Sequence, residues 1–262
     1  MRLVSWNTNC GWCFNDATKA QAKVDHLVDI EGHFDLAFLM EHPKCSKLFP
    51  YGAAIVKDQD FKFGRFDGSA SKDTRTAGLY IPSDSKVRII EHKLLAPAET
   101  CSFIFGYVVE WKGEIYHVAC LWNYIPKDCL DNDYKQNVSR MLECSKDFLR
   151  GNKQSILIGD FNISAFHTSR QRAQHEKERD ALHSIIAEDL SLEWLDYEKS
   201  EEEKQTCYIS KGNNGLAIDF CAVSPTLFKR SILQYGKWEN YVRKEGDKPS
   251  FSDHVPLILT IN

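Results

Sequence analysis

The chain has 262 residues, 43% hydrophobic and 27% charged, enough to bury a substantial core without staples. Its 33 basic and 37 acidic residues leave a net charge of −4, which excludes a uniformly basic nucleic-acid or membrane binder and leaves such binding to a local patch. Nine irregularly spaced cysteines read as reduced thiols of a cytoplasmic protein rather than a disulfide framework, and no apolar run approaches the ~20 residues of a membrane span.

Residues 2–6 are predicted to form a short buried strand that enters Asn7 directly, with no apolar leader before it. Cys10 and Cys13 make one C-x-x-C, without the second pair that a structural zinc site wants. Residues 16–31 read as a helix, capped by Asp16 or Thr18, with Val24, Leu27, Val28 and Ile30 supplying an apolar face. Residues 35–40 are the next strand. Glu41 ends it, either as a solvent boundary or as a functional carboxylate, and Pro43 stops any continuation. Short strand patterns cover 52–57, 77–82 and 86–91, with a polar excursion from Lys57 to Thr76. Two strands over 104–111 and 115–122, joined at Lys112-Gly113, predict a hairpin. Residues 133–150 are an amphipathic helix with Val138, Met141, Leu142, Phe148 and Leu149 on its buried side.

The most informative stretch follows. Ile156-Leu157-Ile158 reads as a strand buried on both faces, and Gly159 then permits a turn or a close backbone approach. Asp160 and Asn162, at spacing two on extended chain, point the same way just past the strand end, where α/β folds keep their chemistry. A capped turn is the simpler reading of a lone G-D-x-N, because both residues favour turns. Residues 170–190 form a charged helix with Leu182, Ile185, Ile186 and Leu190 buried. Its first part carries Arg170, Arg172, Lys177 and Arg179, either a solvated face or a phosphate-facing patch. Residues 196–204 are an acidic exposed loop. Strands over 205–209 and 216–223 flank a Gly-Asn turn, and the second encloses Asp219, a costly placement unless the carboxylate is paired. Ser252-Asp253-His254 then leads into the last strand.

Asn7, Glu41, Asp160, Asn162 and Asp253-His254 each flank an apolar strand, and Asp219 lies within one. Carboxylates gathered on one rim repel unless a cation compensates them, and hard oxygen donors suit Mg²⁺ or Mn²⁺ rather than zinc. Metal, amides and an imidazole together describe hydrolysis of a phosphoester.

The ordered set Ser5-Trp6-Asn7, Leu39-Met40-Glu41, Gly159-Asp160-Phe161-Asn162, Ile218-Asp219-Phe220 and Ser252-Asp253-His254 resembles the endonuclease/exonuclease/phosphatase superfamily, which includes exonuclease III, AP endonucleases and pancreatic deoxyribonuclease. The motifs run from residue 5 to residue 254, nearly the whole chain. The resemblance implies one domain over 1–262, an α/β four-layered sandwich with two central mixed β-sheets flanked by helices, and a metal-dependent phosphodiesterase. The expected substrate is nucleic acid, DNA favoured over RNA, with small-molecule or lipid phosphoesters as the alternative and a catalytically inactive nucleic-acid-binding relative as the rival. The expected state is a cytoplasmic monomer. By position, Glu41 resembles the chief metal ligand, with Asn7 beside it and Asp253 near the metal. Asp160 resembles the aspartate that positions or deprotonates the attacking water, Asn162 the amide that holds the phosphate, and His254 the histidine on the scissile phosphate, oriented by Asp219. Whether Asp160 or the Asp219–His254 pair acts as base is left open. Tyr124, in Tyr124-x-Pro126, resembles the Tyr-x-Pro of exonuclease III-like enzymes, with Trp122 or Asn123 as the alternative if the alignment slips. The inositol-phosphatase branch fits less well, because it usually shows Asp-Arg where this chain has Asp253-His254.

Overall fold

The computed structural model describes residues 1–9, 17–43, 75–96, 103–123, 134–163, 180–195, 206–208, 215–242, 244–245, 248–249 and 251–262. In chain order these give β1 (Arg2–Asn7), α1 (Ala17–Glu31), β2 (Leu36–Pro43), β3 (Arg75–Tyr80), β4 (Arg88–Leu94), β5 (Phe103–Trp111), β6 (Glu114–Trp122), α2 (Tyr134–Leu149) and β7 (Ser155–Asp160). A π-helical turn (Ile185–Asp189) follows, then β8 (Glu193–Trp194), β9 (Cys207–Tyr208), β10 (Gly215–Leu216), β11 (Asp219–Val223), α3 (Pro225–Phe228), β12 (Ser231–Tyr235), α4 (Trp238–Tyr241), β13 (Lys244–Glu245), β14 (Lys248–Pro249) and β15 (Leu257–Ile261). The expected strand over 52–57, the Cys10/Cys13 pair, Tyr124, Arg170, Arg172 and the loop over 196–204 lie outside the described residues.

Two mixed sheets organise the chain. One has the order β12-β15-β1-β2-β3 and the other β4-β5-β6-β7-β11-β8. Period-two alternation along each strand explains how they stack. From β1 and β2, Leu3, Leu36, Phe38 and Met40 point into a core shared with Tyr107, Val118, Cys120, Ile156, Ile158 and Val223 of the other sheet. Their neighbours Val4, Trp6, Ala37 and Leu39 face outward onto Val24 and Leu27 of α1. On the far side, Ile104, Ala119, Leu121, Leu157 and Ala222 pack against Val138, Met141, Leu142 and Leu149 of α2 and against Ile186. Helix, sheet, sheet and helix thus form four layers, as the sequence motifs imply. The strand centred on Ile156-Leu157-Ile158 is buried on both faces, with its isoleucines in one core and Leu157 in the other.

Several expectations change in detail. On α1, Val28 and Ile30 are 40% exposed, so the buried stripe narrows to Val24 and Leu27. The C-terminal part of the charged helix widens into the π-turn, where the Leu190 amide donates to the Ile185 carbonyl, and Leu182, Ile186 and Leu190 are buried by it. The strand expected over 216–223 is two strands. Ala217 and Ile218 interrupt it, β10 pairs with β9, and β11 pairs with β7. β8 and the edge strand β12 carry no clean alternation in sequence and form because β11 and β15 offer them free edges. The Lys112-Gly113 hairpin is as expected, with both residues at positive φ (52° and 81°), the twist that matches a two-residue connection.

Candidate functional site

The site lies at one end of the two sheets, where β1, β2, β7 and β11 finish or begin. Gly159 is the reason β7 can end there. Its φ is +151°, and a Cβ at this position would lie 1.9 Å from the Leu121 carbonyl oxygen of the neighbouring strand. Only glycine permits β7 to run this close beside β6 while delivering Asp160 to the rim. Across the sheet, Asp160 is paired directly with Asp219, the first residue of β11. Asp219 therefore sits at a strand start, not inside a strand as the sequence suggested. The Thr206 hydroxyl fixes that start, accepting the amides of Ile218 (3.0 Å) and Asp219 (3.1 Å) where the ladder is interrupted.

Three turns of the same kind present the polar groups. The Asn7 side-chain oxygen accepts the Asn9 amide at 3.0 Å, the Asp160 carboxylate accepts the Asn162 amide at 2.8 Å, and the Ser252 hydroxyl accepts the His254 amide at 3.0 Å. Each is a side chain satisfying the backbone two residues on. The expected extended geometry at Asp160-x-Asn162 is thus replaced by a turn. Asn162 has φ +51°, and its side-chain Nδ2 donates to the Asn123 carbonyl at 3.1 Å and to Asp160 Oδ2 at 3.4 Å. Capped turn and functional pair are here one feature.

Glu41 is placed by a local distortion. The pairing of β2 with β3 slips between Leu39 and His42, and Glu41, within that bulge, takes φ +49°. A non-glycine residue in the left-handed region costs energy, and bulges that re-aim a side chain recur beside active sites. Asn7 bridges the result. Its side-chain nitrogen donates to Asp160 Oδ2 at 2.9 Å and to Glu41 Oε1 at 3.2 Å. Ser252 ties in the last segment by donating to the Asn7 carbonyl at 2.7 Å, and the Trp6 indole donates to the His254 carbonyl at 3.0 Å.

The Nδ1 of His254 meets Asp219 Oδ2 at 2.9 Å, with both side chains buried. The Asp219–His254 pairing that the resemblance implies is therefore made. One oxygen of Asp160, one of Asp219 and one ring nitrogen of His254 lie within 4.8 Å of one another. Burial first, and then the facing Asp219 carboxylate, push Asp160 up to about 8. His254 is buried too, which opposes its charged form, but the Asp219 carboxylate outweighs this and holds the imidazole well above its usual range.

Every sequence candidate among the described residues joins this cluster. Asn7, Glu41, Asp160 and Asn162 form one hydrogen-bonded string, and Asp160, Asp219 and His254 continue it. Asp253 flanks the ring, its Oδ1 at 3.8 Å from His254 Nε2. Of the two alternatives to Tyr124, Trp122 is buried in the inter-sheet core and stacked on Phe103, whereas Asn123 braces the site, donating to the Phe161 carbonyl at 2.7 Å. Two neighbours of the cluster escaped the sequence reading. Thr206 holds the start of β11, and Cys207 lies across a backbone bridge from His254. Neither carries a motif, because each acts through tertiary pairing.

The donor set suits a hard cation. Glu41, Asp160 and Asp219 gather three buried carboxylates against one imidazole, a surplus of negative charge that a divalent ion offsets. Asp253 Oδ1, buried with no hydrogen-bond partner among the described residues, adds an oxygen that lacks a protein donor.

No family profile matches the sequence, and no curated protein matches it. Solved structures do. A zebrafish (D. rerio) TDP2 in complex with a single-strand DNA product superposes with a TM-score of 0.62 at 15% identity, covering 100% of this chain and 98% of that one. A Bacteroides thetaiotaomicron mannosyl-6-phosphatase gives 0.58 at 19% identity, covering 100% and 99%. An endonuclease/exonuclease/phosphatase family protein from the same organism gives 0.55 at 18% identity, covering 99% and 96%. The chain has the fold of the endonuclease/exonuclease/phosphatase superfamily over its whole length.

Proposed function

We propose that this chain is a divalent-metal-dependent phosphoesterase whose active site is the Asn7–Glu41–Asp160–Asn162–Asp219–His254 cluster. The observation that carries the reading is the unbroken polar string from Glu41 through Asn7 to Asp160, with the Asp219–His254 pair against it. Glu41, with Asn7 and Asp253, would hold a divalent ion, Mg²⁺ or Mn²⁺, which would supply a Lewis acid for a phosphoryl oxygen. Asn162 holds a phosphate oxygen. Asp160 orients the attacking water, and its raised proton affinity suits it to accept the water's proton. His254, kept as an imidazolium by Asp219, faces the phosphate and stabilises the charge that builds there. Tyr124 follows Asn123, which braces the Asp160–Asn162 turn, and is the candidate to assist the leaving group.

We favour a nucleic-acid phosphodiester as substrate, DNA first, cleaved by a cytoplasmic monomer of one domain. The TDP2 likeness, in a structure holding a DNA product, supports that choice. The comparable likeness to a mannosyl-6-phosphatase and the net charge of −4 support the second reading, a small phosphoester. Purified protein incubated with DNA, RNA and phosphomonoesters, with and without Mg²⁺ or Mn²⁺, separates them. Under the nuclease reading, polymer binding weakens steeply with salt, and charge reversal at Arg170 and Arg172 weakens it further while leaving a small model phosphodiester untouched. Hydrolysis of phosphomonoesters alone would select the second reading, and metal-independent turnover would exclude both.

A further inference from the structure

Cys207 stands outside the phosphoesterase chemistry, yet it is held against the catalytic imidazole. β9 runs antiparallel to residues 253–255. The Tyr208 amide donates to the Asp253 carbonyl at 2.6 Å, the Val255 amide donates to the Thr206 carbonyl at 2.9 Å, and Cys207 is the direct partner of His254 between them. Directly opposed residues have neighbouring side chains. A sulfur of Cys207, a carboxylate oxygen of Asp253 and a ring nitrogen of His254 lie within 4.8 Å of one another.

This donor set shares Asp253 with the one around Glu41 and differs from it in the sulfur and the imidazole. A thiolate, an imidazole and a carboxylate suit zinc, a borderline-soft ion, whereas Mg²⁺ avoids sulfur. Three features prepare it. Asp219 occupies Nδ1 of His254 at 2.9 Å, which fixes the ring orientation and leaves Nε2 on the side of Asp253, the carboxylate–histidine arrangement that zinc ligation uses. Asp253 Oδ1 lies 3.8 Å from that Nε2 and has no hydrogen-bond partner among the described residues. The Cys207 sulfur lies in hydrogen-bonding contact with the His254 ring and makes a long contact, 3.8 Å, to the carbonyl of its neighbour Tyr208. Tetrahedral zinc draws such donors to about 3.3–3.6 Å from one another, a small contraction from the geometry present.

We propose that Cys207, Asp253 and His254 form an inhibitory zinc site adjoining the hard-cation site, an inference that rests on the phosphoesterase reading for its consequence though not for its chemistry. Binding releases two protons to solvent, one from the Cys207 thiol and one from Nε2 of the His254 imidazolium, and forms a sulfur–zinc and a nitrogen–zinc bond. It also takes His254 Nε2, the atom that must face the phosphate. Zinc therefore silences hydrolysis by occupying His254 and drawing off Asp253, while Glu41 and Asn7 stay with the hard cation.

Cobalt reports the site directly, because a cobalt–thiolate bond absorbs strongly in the near ultraviolet. The full chain carrying Cys10→Ser and Cys13→Ser, which removes the C-x-x-C as a competing site, should develop that band on Co²⁺ titration and lose it on zinc addition. Adding Cys207→Ser should abolish the band and raise the zinc Kd by more than ~100-fold, beyond the loss typical of an outer-shell partner. A band undiminished in the Cys207→Ser protein overturns the site, whether or not the protein proves to be a phosphoesterase. In Mg²⁺-supported hydrolysis, zinc should inhibit the wild type reversibly, with recovery on chelation, and leave the Cys207→Ser variant active. Equal inhibition of both overturns the regulatory role.

Discussion

Asp219→Asn tests the catalytic reading most sharply, because it removes a charge and almost no volume. Asp219 and His254 are 3% and 6% exposed in their side chains, and their 2.9 Å contact is shielded from water. An asparagine oxygen can still accept the Nδ1 proton, so the ring keeps its place. What disappears is the negative charge that outweighs burial and holds the imidazole well above its ordinary range. The imidazolium then deprotonates within the working pH range, and Nε2 faces the phosphate without a proton to donate. General acid–base groups contribute about 10²–10⁴-fold, or about 3–5.5 kcal/mol of barrier, and the substitution should forfeit most of it. Two further signs distinguish this from simple damage. The alkaline limb of the pH–rate profile should move to lower pH in Asp219→Asn, and His254→Ala on top of it should cost less than about tenfold more, because residues acting as a unit are non-additive. The assay is kcat/KM for wild type, both single variants and the double variant across pH, with thermal melts to verify folding. Losses that multiply in the double variant, or a pH profile that stays put, would show that the two residues work independently and refute the reasoning.

Glu41→Ala should abolish metal-supported turnover while the melt stays cooperative; turnover near wild type at saturating Mg²⁺ would remove Glu41 from the metal site. Gly159→Ala should destabilise by more than ~3 kcal/mol, since its Cβ would overlap the Leu121 carbonyl oxygen at 1.9 Å and its φ of +151° resists any side chain; a denaturant midpoint close to wild type would show that β6 and β7 can separate cheaply. The raised carboxyl of Asp160 and the raised imidazole of His254 act in the same direction on stability. Both favour the folded state below their unfolded values, and this is lost as pH rises through the folded values, for Asp160 between 3.8 and about 8. The metal-free protein should therefore melt lower at pH 8 than at pH 5, and Mg²⁺ should raise the Tm more at pH 8; equal Mg²⁺ effects at the two pH values would contradict the charge surplus assigned to the site.

The sequence pointed to the residues of the candidate site more readily than to how they are brought together. Ile156-Leu157-Ile158 announced a doubly buried strand because a layer on each side demands apolar residues at every position, and α2 announced itself by a 3.6-residue stripe. Asn7, Glu41, Asp160 and His254 were legible through their recurrence at strand ends in an ordered set of motifs, since each alone reads as readily as a turn former or a solvent boundary. The supporting geometry was not legible, for reasons that differ residue by residue. The bulge that turns Glu41 to φ +49° depends on a register slip against β3, and no local signal encodes a partner strand's register. The interruption at Ala217-Ile218 looked like continuous strand because both residues are apolar; the hydroxyl of Thr206 replaces the missing ladder bonds there, and Thr206 precedes them by more than ten residues. Asp219 consequently read as a buried liability when it is a rim residue with a partner. The same logic explains Cys207. It looked like one more buried thiol until a backbone bridge placed it opposite His254. Chemistry-bearing residue types are visible in a sequence, whereas what orients them is chosen by whichever distant strand supplies the next hydrogen bond. The residues that tune this site are therefore best sought among the pairing partners of the visible ones, Thr206, Cys207 and Asn123, rather than among further motifs.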